Sequence, residues 1–410
     1  MAMSDVFVGF VFDDEKEAEL LATSKRGVAS AANQYQKGFL SGLSGNLQIL
    51  TALSIPAFPK QNSRLIFRRE SKQIPMGMIT YLPFFNLYLI RDKMFEVHLF
   101  RELKKTISKQ ERTTIYVYSL HLPFLRAMRR LKKEYGNRIH YCLIIPDLAG
   151  KYGLVRRGIK GIKDRLDAKK KMFLPNFADS FVFLTEATKD LFAPKPYAVI
   201  EGFLPQCAFN YENLRVPKSV LYTGSLNRAY GFGTLLDAFS SVPDEDAQLW
   251  ICGAGDMEEE IKRAAKRDAR IHFKGFLPKS EIADLQTRCD VLVNPRTDEG
   301  EYTKYSFPSK TMEYLLSGSK VVMHRLPGIG EEYYRYIITP EDTSVEAMAC
   351  ALQKAWADKT FYRDRTYEQI NWIKQNKNEK QQVAKAMWML GRNKSKENGA
   401  KICPPLQSPL

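Results

Sequence analysis

The sequence predicts an α/β protein built from two Rossmann-like, doubly wound domains. Apolar runs of strand length alternate with helix-length segments along nearly the whole chain, a pattern typical of parallel sheets covered by helices. The 410 residues suffice for two domains, and a hydrophobic content of 44% suffices for two cores. We place the domains at residues 1–205 and 206–375, followed by a helix at 376–390 and a disordered tail at 391–410.

Positive charge is concentrated in the first half of the chain. The net charge is +16. Residues 1–205 contain 33 Lys and Arg against 19 Asp and Glu, a net +14, whereas residues 206–410 contain 29 against 27, a net +2. This excess predicts that the first half faces an anionic surface, either membrane lipid or nucleic acid. We favour the membrane, because the basic segments lack the interleaved aromatic residues of single-strand binders and carry no helix-turn-helix or RNA-module motif.

The cysteine pattern and the apolar runs point to the inside of a cell. Six scattered cysteines without a Cys-x-x-Cys pair predict buried thiols in a reducing compartment rather than disulfides or a zinc site. The first apolar run is followed by acidic residues and does not resemble a signal peptide. A long uncharged run, residues 73–90, is interrupted by Pro75 and Pro83. We interpret it as core strand and loop, with insertion into a membrane surface as the alternative.

Strands of the first half end beside two candidate catalytic residues. These strands are predicted at residues 6–12, 47–53, 115–118, 140–145, 181–185 and 197–200. A polar loop at 13–27 and a helix at 29–43 follow the first strand. His121 and Asp147 each come just after a strand, where open α/β sheets bind ligands. A structural hydrogen bond is the alternative role for His121, and a helix or turn cap is the alternative for Asp147.

Residues 154–177 form a basic amphipathic stretch. Apolar residues recur at near-helical spacing, and basic residues fill the positions between them. The basic residues are Arg156, Arg157, Lys160, Lys163, Arg165, Lys169, Lys170 and Lys171. Each basic residue close to an anionic leaflet contributes about 1 kcal/mol, so half of them would give roughly 4 kcal/mol of docking free energy. We predict reversible docking on an anionic membrane, with a solvated helix face as the alternative.

The second half repeats the alternation of strands and helices and adds a loop that contains glycine. Strands are predicted at 219–223, 249–252, 271–273, 290–295 and from 321, and helices at 232–239, 257–266, 279–287, 345–357 and 361–390. The loop 224–231 joins the first of these strands to a helix and carries Arg228. A strand, such a loop and a helix N-terminus together can hold an anion, although glycine loops are also common turns.

The segment 305–322 is the strongest candidate for an anion site. Its pattern predicts a loop, a helix that begins near Ser309 with Ser306 or Ser309 as its cap, and a buried strand. Lys310 falls in the first turn, where a cation opposes the helix dipole unless a phosphate is bound there. Glu313 follows three residues later and can reach sugar hydroxyls beside that phosphate. A surface helix with an incidental lysine is the alternative.

Five motifs of the second half occur in the order found in a known family. They are Tyr-Thr-Gly-Ser at 222–225 with a later glycine, Cys-Gly-Ala-Gly-Asp at 252–256, Phe-Lys-Gly-Phe at 273–276, Asp-Val-Leu-Val-Asn-Pro at 290–295, and the segment 307–318. Residues 219–330 thereby resemble the C-terminal domain of retaining nucleotide-sugar glycosyltransferases, the GT-B enzymes of family 4. The sequence Tyr-Ser-Phe-Pro-Ser-Lys at 305–310 resembles the bacterial capsular and exopolysaccharide members. The resemblance implies two Rossmann-like domains facing a central cleft, with the helix at 376–390 crossing back to the first domain.

The same resemblance implies a donor site in the second domain. Glu313 would bind the ribose, Phe276 and its neighbours the nucleobase, and the backbone near 307–311 the diphosphate or the sugar. Arg228 and Lys310 would neutralise the diphosphate and in this way act in catalysis. The implied donor-binding residues are Gly224, Ser225, Tyr230, Gly253, Gly255, Phe276, Ser306, Phe307, Pro308, Ser309, Thr311 and Glu313.

Several positions depart from the family pattern. Tyr305 stands where the first glutamate of a glutamate pair is usual, and Ser225 and Tyr230 stand where many relatives carry Arg and Lys. Pro146 and Asp147 fall where relatives often have a His-Asp or similar pair. These departures support a second hypothesis, in which the protein is a catalytically degenerate transferase that acts as a partner or scaffold.

The activity that the resemblance implies is transfer of a hexose, with retention of configuration, from a nucleotide diphosphate sugar such as a UDP-sugar. The acceptor would be a lipid-linked glycan or a polysaccharide, as in capsule synthesis, on the cytoplasmic face of the cell membrane. No metal ion or other cofactor is expected. Negative charge that develops on the departing diphosphate would be stabilised by the two cations and the helix N-terminus. In such enzymes the departing phosphate itself takes the proton of the acceptor, which agrees with a sequence that offers no strong general base.

Overall fold

The computed structural model describes residues 4–23, 30–43, 45, 47–87, 90–146, 148, 158–205 and 207–391. Within these residues each half of the chain forms its own large sheet. The predicted α/β class, with two Rossmann-like sheets, is confirmed. The predicted disordered tail lies outside the described residues, apart from Gly391.

Both large sheets are built mainly from parallel strands. The strands are β1 Ser4–Gly9, β2 Leu47–Thr51, β3 Ile66–Phe67, β4 Glu70–Ile74, β5 Gly77–Tyr81, β6 Phe84–Phe85, β7 Thr113–Tyr118, β8 Ile139–Ile145, β9 Ser180–Phe183, β10 Tyr197–Val199, β11 Val216–Ser225, β12 Gln248–Ala254, β13 Ile271–Gly275, β14 Cys289–Asn294, β15 Lys320–Met323 and β16 Ile337–Ile338. The first sheet has the order β10-β9-β8-β7-β1-β2-β5-β4, and the second has the order β13-β12-β11-β14-β15-β16. Strand β4 lies antiparallel to β5 at the edge of the first sheet, and β3 and β6 form a separate antiparallel ribbon.

Helices connect successive strands, because parallel neighbours need a connection that crosses the sheet. The α-helices are α1 Asp14–Thr23, α2 Ser30–Gly42, α3 Arg91–Ser108, α4 Leu122–Tyr135, α5 Gly158–Phe173, α6 Phe232–Ser241, α7 Glu258–Arg267, α8 Lys279–Arg288, α9 Lys310–Leu316, α10 Glu331–Tyr334, α11 Val345–Ala357, α12 Phe361–Asp364, α13 Thr366–Asn376 and α14 Glu379–Met389. Short 3₁₀ helices occur at Gly136–Arg138, Leu174–Phe177, Glu186–Leu191, Arg228–Tyr230 and Glu301–Tyr305. No helix in the described part of the chain is long and apolar enough to cross a membrane.

The second sheet is covered by helices on both faces. Val220 of β11 belongs to an apolar cluster with residues of α6, α7 and α11. The next residue, Leu221, belongs to a different cluster with residues of α9 and α13. Successive side chains of a strand point to opposite faces, so both faces of β11 are buried. This double burial explains the uninterrupted apolar runs that mark the strands in the sequence.

The last described helix joins the two halves. Val383 and Ala386 of α14 belong to the core of the first half, whereas α13, just before it, packs on α9 of the second half. Lys377 lies between the two helices and is buried. It pairs with Glu201, which follows the first sheet, at 2.9 Å and with Glu332 of α10 at 3.2 Å. The chain therefore returns to the first half along α14.

One loop prediction and one helix prediction are wrong in detail. Most of the predicted polar loop at 13–27 is helix α1, in which the Asp13 carboxylate accepts a hydrogen bond of 2.9 Å from the amide of Lys16. This helix buries only Lys16 and Leu20, so its sequence lacks the apolar stripe that predicts a helix. The predicted helix at 361–390 is divided into α12, α13 and α14.

The edge of the first sheet and the cysteines also differ from expectation. Strand β4 was not predicted, because an edge strand exposes polar side chains and shows no apolar run. The uncharged run at 73–90 contains β5 and β6, as expected for core strand and loop. Three cysteines are buried as predicted, but Cys350 is exposed on α11.

Candidate active site

A cavity of about 360 Å³ lies between the two halves of the chain. Tyr118 at the end of β7 and Pro146 just after β8 line it from the first half, as expected for carboxyl ends of parallel strands. Residues 201–205 and helix α2 contribute further lining. The volume is in the range of small-molecule sites. From the second half the lining residues are Ser306, Phe307, Ser309, Met312 and Glu313.

Lys310 and Glu313 form an ion pair at the edge of this cavity. The Lys310 ammonium lies 2.9 Å and 3.0 Å from the two carboxylate oxygens of Glu313. Gln286 donates a further hydrogen bond of 2.7 Å to Glu313. The Glu313 side chain is 20% exposed and the Lys310 side chain 32%, so a ligand in the cavity can reach both. Glu313 lines the cavity and Lys310 is its ion-pair partner, and a role of either residue in donor binding stays a prediction.

The loop before α9 does not cap the helix as predicted. Ser309 occupies the cap position, but its side chain accepts no capping hydrogen bond. The Ser306 hydroxyl accepts a hydrogen bond of 3.0 Å from Arg296 instead. Thr311 is buried, and its amide donates a hydrogen bond of 2.9 Å to the carbonyl of Pro308. The Thr311 amide is therefore not free for a diphosphate, and a helix of only seven residues supplies a short dipole.

The predicted glycine loops pack against each other. A Cβ atom on Gly253 would lie 1.8 Å from the carbonyl oxygen of Gly224, and one on Gly255 would lie 2.3 Å from that of Leu226. Packing alone thus requires glycine at these positions. Ser225 is exposed at the end of β11. A role of these residues in binding a donor stays a prediction.

Arg228 forms an exposed ion pair with a residue of helix α7. Its side chain is 68% exposed and pairs with Glu260 of α7 at 2.7 Å. Its backbone amide donates to the Asp256 carboxylate at 3.0 Å. Arg228 is not among the residues that line the cavity. Binding of one diphosphate by both Arg228 and Lys310 stays a prediction.

Arg296, which belongs to none of the sequence motifs, lies next to the cavity. It follows β14, and its guanidinium donates the hydrogen bond to Ser306 described above. The same guanidinium lies 5.4 Å from the ring centre of Tyr230 and 4.9 Å from that of Tyr302. Burial and Tyr230 raise the pKa of Tyr222, and the nearby charge of Arg296 opposes them. Arg296 thus sits among the ends of β11 and β14 and the loop before α9.

Phe276 lies after β13 with 83% of its surface exposed. The following residue, Leu277, lines a hollow of about 560 Å³ with Lys274 and Leu285. This hollow belongs to the second half alone and is separate from the cavity between the halves. Contact of Phe276 with a nucleobase stays a prediction.

His121 packs against aromatic rings and does not line the cavity. Its ring centre lies 5.0 Å from that of Phe10, 6.4 Å from that of Phe95 and 4.7 Å from that of Phe124. Burial lowers the pKa of His121 to about 3, so the imidazole is neutral at physiological pH. Its Nδ1 atom has no hydrogen-bond partner among the described residues. The other catalytic candidate of this half, Asp147, lies outside the described residues.

Helix α5 carries the predicted basic surface. Lys163, Lys169 and Lys170 are exposed. Leu166 and Phe173, seven residues apart, are 51% and 55% exposed on the same helix. Lys171 is partly exposed. Exposed apolar and basic side chains on one helix form the arrangement that lies flat on an anionic membrane. The predicted residues Arg156 and Arg157, and the side chain of Lys160, lie outside the described part of the chain.

Residues 217–358 match the model of the family described as Glycosyl transferases group 1. This segment contains Arg228, Arg296, Lys310 and Glu313. The chain is a GT-B glycosyltransferase. The transferase matches none of the curated proteins with which it was compared. The family match confirms the prediction that the chain is a glycosyltransferase enzyme. Membership of family 4 and the capsular type stay predictions.

Solved structures share the fold of the transferase. Sucrose-phosphate synthase from Thermosynechococcus elongatus is 17% identical, with a TM-score of 0.61 over 95% of this chain and 98% of that one. Trehalose 6-phosphate synthase from Burkholderia multivorans is 12% identical, with a TM-score of 0.62 over 95% and 98%. Anabaena HepE in complex with UDP is 14% identical, with a TM-score of 0.58 over 94% and 100%. At these identities the likeness shows the fold alone.

Proposed function

We propose that the transferase moves a hexose from a nucleotide diphosphate sugar, in the simplest case a UDP-sugar, to a lipid-linked or polysaccharide acceptor. The configuration at the anomeric carbon would be retained. The observation that carries this proposal is the Lys310–Glu313 pair beside a cavity that both sheets share. Two structural neighbours support the donor class, since HepE was solved with UDP and the pneumococcal O-GlcNAc transferase GtfA with UDP and GlcNAc.

Charge on the departing diphosphate is the central problem of this chemistry. Cleavage of the anomeric C–O bond leaves the electron pair on the diphosphate, and a fixed cation in a partly closed cavity stabilises it. Lys310 can leave Glu313 for the phosphate oxygens, and Glu313 is then free to accept hydrogen bonds from ribose hydroxyls. Cations of the protein, rather than a metal ion, take this role in the proposal. The acceptor would enter from the side of Tyr118 and Pro146.

Calorimetric titration of the full chain with UDP, GDP and ADP tests the donor site. We expect one of them to bind, and we expect Glu313→Ala to weaken that binding by about 10-fold, because charged hydrogen bonds to the ribose are lost. Glu259→Ala is the matched control, since Glu259 pairs with Lys262 at the same spacing on exposed α7. Equal affinity of the wild type and Glu313→Ala would remove Glu313 from the site, and failure of all three nucleotides to bind would overturn the proposed donor class.

A degenerate transferase that serves as a partner protein is the second hypothesis. It is supported by Tyr305, which packs against the core of the first half where related enzymes usually carry a glutamate. Release of nucleotide from nucleotide diphosphate sugars by the isolated chain separates the two hypotheses. Turnover supports the hypothesis of an active enzyme. Nucleotide binding without turnover, both in the presence and in the absence of lipid-linked glycan, supports the hypothesis of a partner protein.

We also propose that α5 docks the transferase on the inner face of the cell membrane. Replacing Lys163, Lys169, Lys170 and Lys171 with Gln should weaken binding to anionic vesicles by roughly 10³-fold, since each lysine contributes about 1 kcal/mol. The measurement is co-flotation with vesicles that contain acidic phospholipid. Lys262, Lys266, Lys354 and Lys359, which are exposed on the second half, provide a control of the same charge. Equal binding of both fourfold variants, or equal binding to neutral vesicles, would contradict this surface.

A further inference from the structure

Arg296 combines partial burial with an unsatisfied charge. Its Nε atom is buried and has no hydrogen-bond partner among the described residues. Within the same part of the chain its guanidinium makes no ion pair and donates only to the neutral hydroxyl of Ser306. A buried donor without an acceptor is costly, and native proteins rarely leave one unless another group completes it. These features point to Arg296 as a binding residue for an anionic ligand.

The two cations proposed from the sequence differ from Arg296 in this respect. Arg228 is neutralised by Glu260 at 2.7 Å, and Lys310 by Glu313 at 2.9 Å. An anionic ligand must displace or compete with these carboxylates. Arg296 offers its charge without such competition, because its neighbours are an alcohol and two aromatic rings.

The surroundings of Arg296 hold the guanidinium in place without neutralising it. The rings of Tyr230 and Tyr302 lie 5.4 Å and 4.9 Å from it, and such contacts stabilise a cation while its N–H groups stay available. Gly231 brings the Tyr230 loop against the start of the Arg296 loop, since a Cβ atom there would lie 2.2 Å from the carbonyl oxygen of Pro295. The Ser306 hydroxyl connects the guanidinium to the lining of the cavity.

We propose that Arg296 binds the diphosphate of the donor. The inference rests on the proposed function and names the side chain that takes the charge. A guanidinium presents its donors as a rigid fork that matches phosphate oxygens, and the free Nε–H is one of them. Arg296 would bind the diphosphate in the ground state and stabilise it further as negative charge grows during C–O cleavage. Lys310 would then act as a second cation from the other side of Ser306.

Calorimetry with a nucleoside, its monophosphate and its diphosphate tests this assignment, using the base that the wild type binds. For the wild type we expect affinity to rise steeply from the monophosphate to the diphosphate. Arg296→Gln should remove roughly 10²-fold of diphosphate affinity and leave nucleoside affinity unchanged, because charged hydrogen bonds are lost at the phosphates alone. Arg296→Lys keeps the charge without the fork and should recover part of the loss.

Two controls keep the outcome interpretable. Arg263→Gln removes an exposed arginine of α7 and should leave every affinity unchanged. If Arg296→Gln does not fold, Tyr302→Leu takes its place, because it removes one of the rings that support the guanidinium. This variant should gain less affinity than the wild type from the monophosphate to the diphosphate and keep its affinity for the nucleoside. The assignment is overturned if the folded Arg296 variants gain as much affinity from the monophosphate to the diphosphate as the wild type does. The same conclusion holds if these variants lose affinity for a lipid-phosphate acceptor instead. A wild type that binds no nucleoside diphosphate overturns the proposed function and this inference together.

Discussion

Replacing Lys310 with alanine is expected to lower kcat by about 10²-fold, on the scale of a lost charge-stabilising donor in other active sites. The loss should fall on kcat more than on KM, because negative charge on the diphosphate is greatest in the transition state. Lys310 is suited to this role because its side chain is partly exposed beside the cavity and held by Glu313 at 2.9 Å. Steady-state release of nucleotide from the donor measures both constants.

Lys262→Ala is the control for Lys310→Ala. Lys262 pairs with Glu259 at 2.8 Å and the same helical spacing, but on the exposed surface of α7. We expect it to leave kcat unchanged. An unaltered kcat in a folded Lys310→Ala protein would contradict the assignment of Lys310 to the donor site.

Replacing Gly253 with alanine is expected to destabilise the second half by about 3 kcal/mol or more. Gly253 has a φ of +147°, a region that is nearly restricted to glycine. A Cβ atom would also lie 1.8 Å from the Gly224 carbonyl oxygen, so two backbone segments would have to separate. The expected result is a large fall in the midpoint of thermal or urea unfolding, or failure to accumulate folded protein.

Gly233→Ala provides the opposite control. Gly233 lies in helix α6, and a Cβ atom there meets nothing within 4 Å. Alanine favours a helix over glycine by roughly 0.5–1 kcal/mol, so this variant should be as stable as the wild type or slightly more stable. A Gly253→Ala protein that unfolds at the same midpoint as Gly233→Ala would show that the two loops can separate at little cost.

The fold could be predicted from sequence because burial leaves a strong pattern. Strands such as β7 and β14 are buried along their whole length, and the apolar runs at 115–118 and 291–293 mark them in the sequence. Elements that bury little left no such pattern. Helix α1 buries only Lys16 and Leu20, and the edge strand β4 buries only Ile74, so both were missed.

The site could be predicted only where its parts are close in sequence. Lys310 and Glu313 are three residues apart on one helix, so their spacing alone places their side chains next to each other, although their ion pair was not predicted. Arg296 contacts Tyr230, which lies far from it along the chain, and Ser306, which lies ten residues later. A single arginine in a polar loop has no local signature. The pairing of Arg228 with Glu260 depends in the same way on the packing of α7, which the sequence does not reveal.

Amide hydrogen exchange of the full chain, with and without a saturating nucleoside diphosphate, tests the central claim most directly. The claim is that the nucleotide lies between the two halves, against the loop that leads to Glu313 and beside Arg296. We predict that nucleotide binding slows exchange in peptides that cover residues 294–316. When the acceptor is added, we predict that exchange also slows in peptides around 118 and 201–205. Measured binding with protection confined to other segments, such as α5 or α11, would contradict it.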